Sequence, residues 1–547
     1  MADLAAFEPP EAGAAAQEFG WTSGRLDGAY NSAGYGRQET AAWFADRGSA
    51  DSQTLHTAQT TLARVRDLVR NDPTAGAALQ RLCDILVGAG LRLSAHPDAD
   101  ALGIDPDAAH ALGRQIQKEW RLFATDPRRE CDAQRKLTMN GIFRLAQRTY
   151  LTASESTAVL KWRENGTRYA TCIQLIDPDR LSQPYQKFDS DRMRGGVEMD
   201  SWYAPIAYHI REAHQGDWWA IGKSWTWTRV PRETDWGRPV FIHAYEPERE
   251  GQTRAVSQFA SLVGRLRMLD RFTDAEIATA TLNALFAAFI ETDMPSDEVT
   301  DRLTAGDAVN GGGAQGWFNR VVDYFHKNPA MLGGSRIPVM PLGSKVTMNG
   351  SPRQTASFEK FERVFVNRIA ARLGLPGELL TDFSQTNYSS MRAALNEMWR
   401  MASRAKAVFE EQFVQPIYFA FMEEAFSKGY LTEPKGAPSF DEMPGAYLRA
   451  RWIGPGRGYV DPVKEAEAAA LRMESMVSTL EMEAAEQGLD YEEVLDQIQR
   501  EEQALKDRGL TRLSLVAAVQ ADKNEALDSE EADGPAGPGG QSKGKPS

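Results

Sequence analysis

The sequence is short of cysteine, histidine and long apolar runs, and each shortage removes a class of function. Its three cysteines, Cys83, Cys131 and Cys172, lie far apart with no Cys-x-x-Cys pair, which excludes a disulfide scaffold and a thiolate zinc site. They read as small core residues in a reducing compartment. No apolar run nears the roughly 18 residues of a membrane-spanning helix. The opening MADLAAFEPPEAGAAAQEFG lacks a basic region and carries Asp3, Glu8 and Glu11. It does not read as a secretory leader, so assembly in a cytoplasm is expected. Basic charge is scarce as well: 62 Lys and Arg against 76 Asp and Glu leave a net charge of −14. That balance argues against sequence-blind coating of DNA or of an anionic membrane, although an acidic surface can border a DNA path where sticking must be avoided.

Catalytic signatures are missing too. The nearest approach to a phosphate loop is GDWWAIGKSW, where Gly216 to Gly222 is one residue too far for G-x-x-x-x-G-K-[ST] and Asp217 would repel phosphate. Trp218, Trp219, Trp225 and Trp227 crowd this segment, and its texture is that of a β-hairpin. The seven histidines are scattered without an HExxH, and His209 and His214, near β segments, read as structural residues before ligands. Ser335 has no G-x-S-x-G elbow around it. Asp177-Pro178-Asp179 reads as a turn after a strand, with metal binding a distant second. No catalytic residue, metal ligand or cofactor is therefore assigned, which favours a structural or assembly role.

What the chain does have is length and mixed texture. At 547 residues, with 42% hydrophobic and 25% charged residues, it is globular and too long for one simple core. The first fifty or so residues are rich in Ala, Gly and Ser with scattered aromatics (Trp21, Tyr30, Tyr35, Trp43, Phe44), and read as an arm able to fold back on a neighbouring surface. Helices follow, broken at Asn71-Asp72-Pro73 and restarted by Asp105-Pro106. The second start precedes an apolar stripe of Ile104, Leu112, Ile116, Trp120 and Phe123. Residues 139–151 read as a further helix. From Ala158 to about residue 245 the runs AVLKW, YATCIQLI, IAYHIR and PVFIHAY read as strands, with Asn165-Gly166 as a hairpin turn.

Residues 253–292 carry one long helical periodicity, which at 1.5 Å per residue would reach roughly 60 Å. Gly and Pro clusters follow. A second helix carries Phe358, Phe361, Phe365 and Ile369, and a third runs from about Ser390 to Ser427. Acidic helices then start near Asp461-Pro462 and Asp490, and a Gly/Pro/Ser-rich tail expected to be disordered ends the chain. The fold class is α+β, predominantly helical.

Two features bear on DNA. Arg254, Arg265, Arg267 and Arg271 fall on the first long helix, and Arg392, Arg400, Arg404 and Lys406 on the third. These are either a solvated face or, if many copies line a hole, phosphate contacts. The polar run Ser384-Gln385-Thr386-Asn387-Tyr388-Ser389 between helices is either an ordinary connector or a loop that touches a moving polyanion without gripping it.

Four segments carry a family resemblance. VRDLVRNDPTAGAALQRL with GLRLSAHPDADALGID, then VFIHAYEPEREGQTRAVSQF, LGLPGELLTDFSQTNYSSMRAALNEMW and WIGPGRGYVDPVKEAEA resemble, in the same order over roughly residues 60–500, the lambda-type portal proteins of tailed phages. The resemblance implies the phage portal fold of wing, stem, clip and crown, assembled as a ring of typically twelve subunits at one vertex of the capsid. Carried over, residues 1–55 are a flexible arm, 56–252 the wing, 253–292 a stem helix and 293–345 the clip. A second stem-like helix takes 346–380, a tunnel-loop candidate 381–390, wing-return helices 391–455, crown helices 456–510 and a disordered tail 511–547. Ser384 to Ser389 then lie at the channel-facing loop, and Arg265, Arg267, Arg271 and Arg392 face the channel. The implied partners are further copies of the chain, the major capsid protein, the large terminase subunit, neck or adaptor proteins, and double-stranded DNA passing without sequence preference, with no membrane. The implied location is the virion. A packaging-associated nuclease or ATPase using Lys223-Ser224, or another neck adaptor, are the alternatives.

Overall fold

Aspartate, serine and proline set the helix starts, because each helix leaves amide groups that a short side chain can satisfy. In a computed structural model of the chain, residues 44–164, 166–285, 331–332, 335–336, 355–381, 387–458 and 461–510 are described. Helix α1 (Ala50–Asn71) is capped by Ser49, and α2 (Pro73–Leu86) by Asp72, which accepts from the Ala75 amide at 2.8 Å. The expected break at Asn71-Asp72-Pro73 is therefore where α1 stops. Asp105 caps α3 (Pro106–Ala124), and its apolar stripe buries Leu112, Ile116, Trp120 and Phe123. Helix α4 spans Met139–Ala153.

The β texture resolves into three small sheets. Strand β1 (Arg92–Ala95) pairs antiparallel with β9 (Ala450–Ile453), so the start of the chain closes onto its late part. Strands β2 (Glu155–Trp162), β3 (Thr171–Ile176) and β8 (Phe241–Tyr245) form a sheet in the order β3-β2-β8. A four-stranded antiparallel sheet runs through β4 (Met193–Arg194), β5 (Val197–Met199), β6 (Pro205–Arg211) and β7 (Trp227–Pro231). All four runs read as strands from the sequence fall in these elements.

The main core is an aromatic junction. The Trp120 ring meets Phe421, Trp452, Phe123 and Tyr418 edge-on at 5.1, 5.3, 5.7 and 5.8 Å. Such pairs add roughly 0.5–1.5 kcal/mol each to the burial of their area. A smaller cluster, including Leu181, Val197, Tyr208 and Phe241, joins the two larger sheets. Cys131 and Cys172 are buried and Cys83 half-buried, all as free thiols. Burial pushes the Cys83 thiol up to about 11 and that of Cys131 to about 12.

The long helices differ from their sequence reading in two places. Helix α5 (Val263–Leu285) starts at Val263, not Thr253. The residues before it are held in irregular backbone by buried partners: Asp51 accepts from the Thr253 amide and hydroxyl, and Ser257 donates to the Thr152 carbonyl. Helix α5 packs on α6 (Thr355–Arg372) through Phe272 and Phe361, whose ring centroids are 4.5 Å apart.

The expected third helix is two, α7 (Tyr388–Phe409) and α8 (Gln415–Ser427), fused by a π-helical turn, Glu410–Val414. Pro416 has no amide to give the Gln412 carbonyl, and the wider turn absorbs that loss. The clip expectation and most of the arm and tail fall outside the described residues, save for paired two-residue strands at Met331–Leu332 and Ser335–Arg336.

Burial in the π-helical turn lifts the Glu410 carboxyl to about 7 against the opposing pull of Lys406, 3.3 Å away. A raised carboxylate holds its proton longer in the folded chain than in the unfolded one. Stability is thus full below the ordinary 4.5 and falls as pH rises through about 7. Glu410→Gln should match the parent near pH 4.5 and exceed it by on the order of 2–3 kcal/mol at pH 8. Denaturant midpoints across that range check this, and a gap independent of pH contradicts it.

The acidic C-terminal helices α9 (Pro462–Glu474), α10 (Leu480–Glu486) and α11 (Tyr491–Asp507) start at Asp461, Thr479 and Asp490 caps. Neither α9 nor α11 buries a residue. They dock mainly by charge: Glu493 meets Arg92 and Arg121, Glu492 meets His110, and Glu481 meets Arg451.

Candidate functional site

The polar run ahead of α7 becomes partly visible at its end. Asn387 is the N-cap of α7: its side chain accepts from the Ser390 amide at 2.9 Å, and the Ser390 hydroxyl donates back to the Asn387 carbonyl at 3.0 Å. Tyr388 and Ser389 are the first residues of the helix. Ser384, Gln385 and Thr386 lie outside the described residues. The sequence reading took Asn387 as loop, yet Asn followed three residues later by Ser, ahead of Met391 and Leu395, is a capping signal.

The basic candidates divide. Arg265, Arg267 and Arg271 are exposed on α5, opposite the buried Leu262, Leu266 and Leu269. Arg267 and Arg271 stand one turn apart on a shared face, with Asp270 3.9 Å from Arg267. Arg392 is exposed on the second turn of α7. The others read as helical cations are spent on local partners. Arg400 pairs with Glu397 at 2.6 Å, Arg404 with Glu246 at 2.6 Å, and Lys406 donates to the Trp452 carbonyl at 2.6 Å.

Arg254 is the clearest correction. It lies before α5, within the core, and not on an exposed helical face. Its Nε donates to Glu155 at 2.8 Å, and its other nitrogens reach the carbonyls of Leu181, Gly195 and Pro178 at 2.6, 2.8 and 3.0 Å. His243 Nε2 lies 3.0 Å from the same carboxylate. Burial alone would raise Glu155, but Arg254 and then His243 outweigh it and hold the carboxyl at about 2. This cluster ties the start of β2 to the segment leading into α5.

The remaining chemical candidates are structural. Gly216 to Trp225 folds as two 3-10 turns, Trp218–Ala220 and Lys223–Trp225, so no long helix presents its amides to a phosphate there. Asp177 caps the turn Pro178–Arg180, and both Asp177 and Asp179 pair with Arg66 of α1. His209 meets Glu198 at 3.3 Å, with burial lowering its proton affinity. Among the described residues no group of three or more His, Cys, Asp or Glu could hold a metal ion, and no helix is long and apolar enough to cross a membrane.

The comparison that decides the family covers most of this architecture. The family described as "Phage portal protein, lambda family" matches residues 36–406. The chain belongs to that family. It is 32% identical to the "Portal protein" of Escherichia phage N15 over 506 residues, covering 92% of this chain and 94% of the relative. To "Portal protein B" of Escherichia phage lambda it is 31% identical over 527 residues, covering 94% and 97%. Solved structures titled "Virion of native gene transfer agent (GTA) particle" and "Neck of native GTA particle computed with C12 symmetry" align with TM-scores of 0.34 and 0.38. Both are 13% identical, over 78% and 79% of this chain and 93% and 94% of theirs. The α+β, predominantly helical fold is thus that of a phage portal protein, a component of the virion.

Proposed function

We propose that this portal protein closes into a ring, of twelve copies, whose central hole carries double-stranded DNA into and out of the capsid at one vertex. In this reading it sits in the major capsid protein shell and docks the large terminase subunit and later the neck or adaptor proteins. It has no catalytic site of its own. The supporting observation is the family match over residues 36–406 together with relatives aligned nearly end to end.

The exposed surface of a single chain agrees with this reading. Phe188, Trp202, Trp218 and Met476 are 89, 86, 78 and 93% exposed, and the 17-residue α11 buries nothing. Large apolar side chains and an unburied amphipathic helix call for neighbours, and a head-to-tail cyclic assembly supplies them with one repeated interface. DNA that must slide is best served by few phosphate contacts, since each one steepens the salt-dependent grip. An acidic chain with a cation-poor run at 384–389 suits that need, with Arg265, Arg267, Arg271 and Arg392 as sparse contacts along the channel. Lys223→Ala is expected to change no ATP turnover.

The loop assignment is tested in packaging. Asn387→Ala alone would cost about 1 kcal/mol by uncapping α7, so Asn387→Ser, which keeps an oxygen acceptor, is paired with Tyr388→Ala. This variant should assemble as the parent does yet package a shorter genome, read as DNA length per particle. Full-length DNA would remove both positions from the channel.

A further inference from the structure

An open cleft of about 780 Å³ lies between the four-stranded sheet, β8 and the π-helical turn. Nothing described so far uses it. Its wall is aromatic: Tyr208 stacks on Phe241 with centroids 4.2 Å apart, and His243 stacks on Tyr245 at 4.5 Å. Tyr203, 52% exposed, stands at the mouth with the Arg192 and Arg194 guanidinium groups 5.4 and 5.6 Å from its ring centroid. Two lining residues also hold orphaned polar atoms. Arg194 Nε and Gln412 Oε1 are buried with no hydrogen-bond partner among the described residues. A donor and an acceptor left this way are costly unless something completes them.

The start of the described chain runs along the rim of this cleft. Arg249 donates to the Gly48 carbonyl at 3.3 Å and to Gln53 Oε1 at 2.6 Å, while the Gln53 amide donates to the Asp46 carbonyl at 2.8 Å. Asp51 accepts from the Thr253 amide at 2.8 Å and from Arg194 at 3.0 Å, and Thr253 and Arg194 both line the cleft. Residues 1–43 therefore join the fold at the cleft's edge. They carry Trp21, Tyr30, Tyr35 and Trp43, with Asp3, Glu8, Glu11, Glu18, Asp27 and Glu39 against Arg25 and Arg37. From Asp46 back to Tyr35 an extended chain covers up to roughly 40 Å, ample for a cleft of this size.

We propose that the segment from Trp21 to Trp43 of the same chain seats in this cleft. Its rings lie on the Tyr208, Phe241 and Tyr245 wall, its carboxylates face Arg194 and Arg232, and its backbone supplies partners for Arg194 Nε and Gln412 Oε1. Aromatic wall, cationic lining and acidic aromatic segment match in chemistry, and the short path from the rim favours the chain's own arm over any separate ligand.

Hydrogen–deuterium exchange on the purified full chain tests this. A truncation starting at Phe44 and a full-length Trp21→Ala/Tyr30→Ala/Tyr35→Ala/Trp43→Ala variant are compared with the parent. In both, the amides of residues 200–208 and 241–253 should exchange at least about tenfold faster, the rest of the chain being unchanged. The full-length variant keeps the test valid should the truncation fail to fold. Unchanged exchange at the cleft in that variant overturns the proposal. Protection restored to truncated copies by mixing them with full chains would place a neighbour's arm in the cleft, and overturns the same-chain assignment.

Discussion

Replacing Arg254 with methionine should cost about 3–5 kcal/mol of stability at neutral pH, because it strands the Glu155 carboxylate in the core. Both side chains are nearly inaccessible, at 12 and 4% exposure. The substitution also removes the donor to three carbonyls, those of Pro178, Leu181 and Gly195. The pH dependence carries the diagnostic. A carboxyl held at about 2 contributes stability above the ordinary 4.5 and loses it as pH falls through 2. Without Arg254 that carboxyl would take up a proton instead, so the variant's deficit should shrink at pH 5 compared with pH 8. Adding Glu155→Gln should recover part of the loss. Denaturant unfolding of the three variants reads all of this, and an Arg254→Met chain as stable as the parent contradicts it.

Glu424→Ala should be nearly as damaging. This carboxylate on α8 is 1% exposed and accepts from the Ala170 and Thr171 amides at 2.5 and 2.9 Å, the Thr171 hydroxyl at 2.5 Å, and Lys428 at 2.6 Å. It thereby fastens the first residues of β3 to the helix that supplies Tyr418 and Phe421 to the core. Alanine leaves two buried amides without an acceptor, each worth about 1–3 kcal/mol, so a loss of at least about 3 kcal/mol is expected. Glu424→Gln, which keeps an oxygen acceptor, should lose less. Thermal unfolding checks the order of the three proteins, and an alanine variant within about 0.5 kcal/mol of the parent would contradict it.

Local signals in the sequence marked most element boundaries. Asp72-Pro73, Asp105-Pro106 and Asp461-Pro462 start helices because an aspartate cap and a proline at the first position act within a few residues, whatever the rest of the chain does. The strand runs were legible for the same reason. The start of α5 was not. Thr253, Arg254 and Ser257 continue a helical pattern in sequence, and only the distant Asp51, Glu155 and Thr152 show why that backbone stays irregular. Arg254 was thus mistaken for a surface cation. Glu424 and Glu410 were equally opaque, since nothing local distinguishes a buried carboxylate on a helix from the many exposed ones beside it. The four basic candidates Arg265, Arg267, Arg271 and Arg392 do reach solvent, where helical periodicity alone placed them.

The family resemblance rested on short motifs that now have local explanations. His243, Tyr245, Gln252 and Arg254 of the VFIHAYEPEREGQTRAVSQF segment form one buried network, in which the Tyr245 hydroxyl donates to the Gln252 carbonyl at 2.9 Å. Asn387 and Ser390 of the later motif form a helix cap. Both motifs are thus folding devices in this chain, and a channel role for the residues beside them rests on their place before α7.

Electron microscopy of the purified chain, with its mass measured in parallel under native conditions, tests most directly whether this protein works as a pore. The expected result is a closed ring of identical copies with an axial opening that admits a DNA duplex. A chain that stays monomeric at high concentration across ionic conditions, or a ring whose opening excludes the duplex, would contradict it.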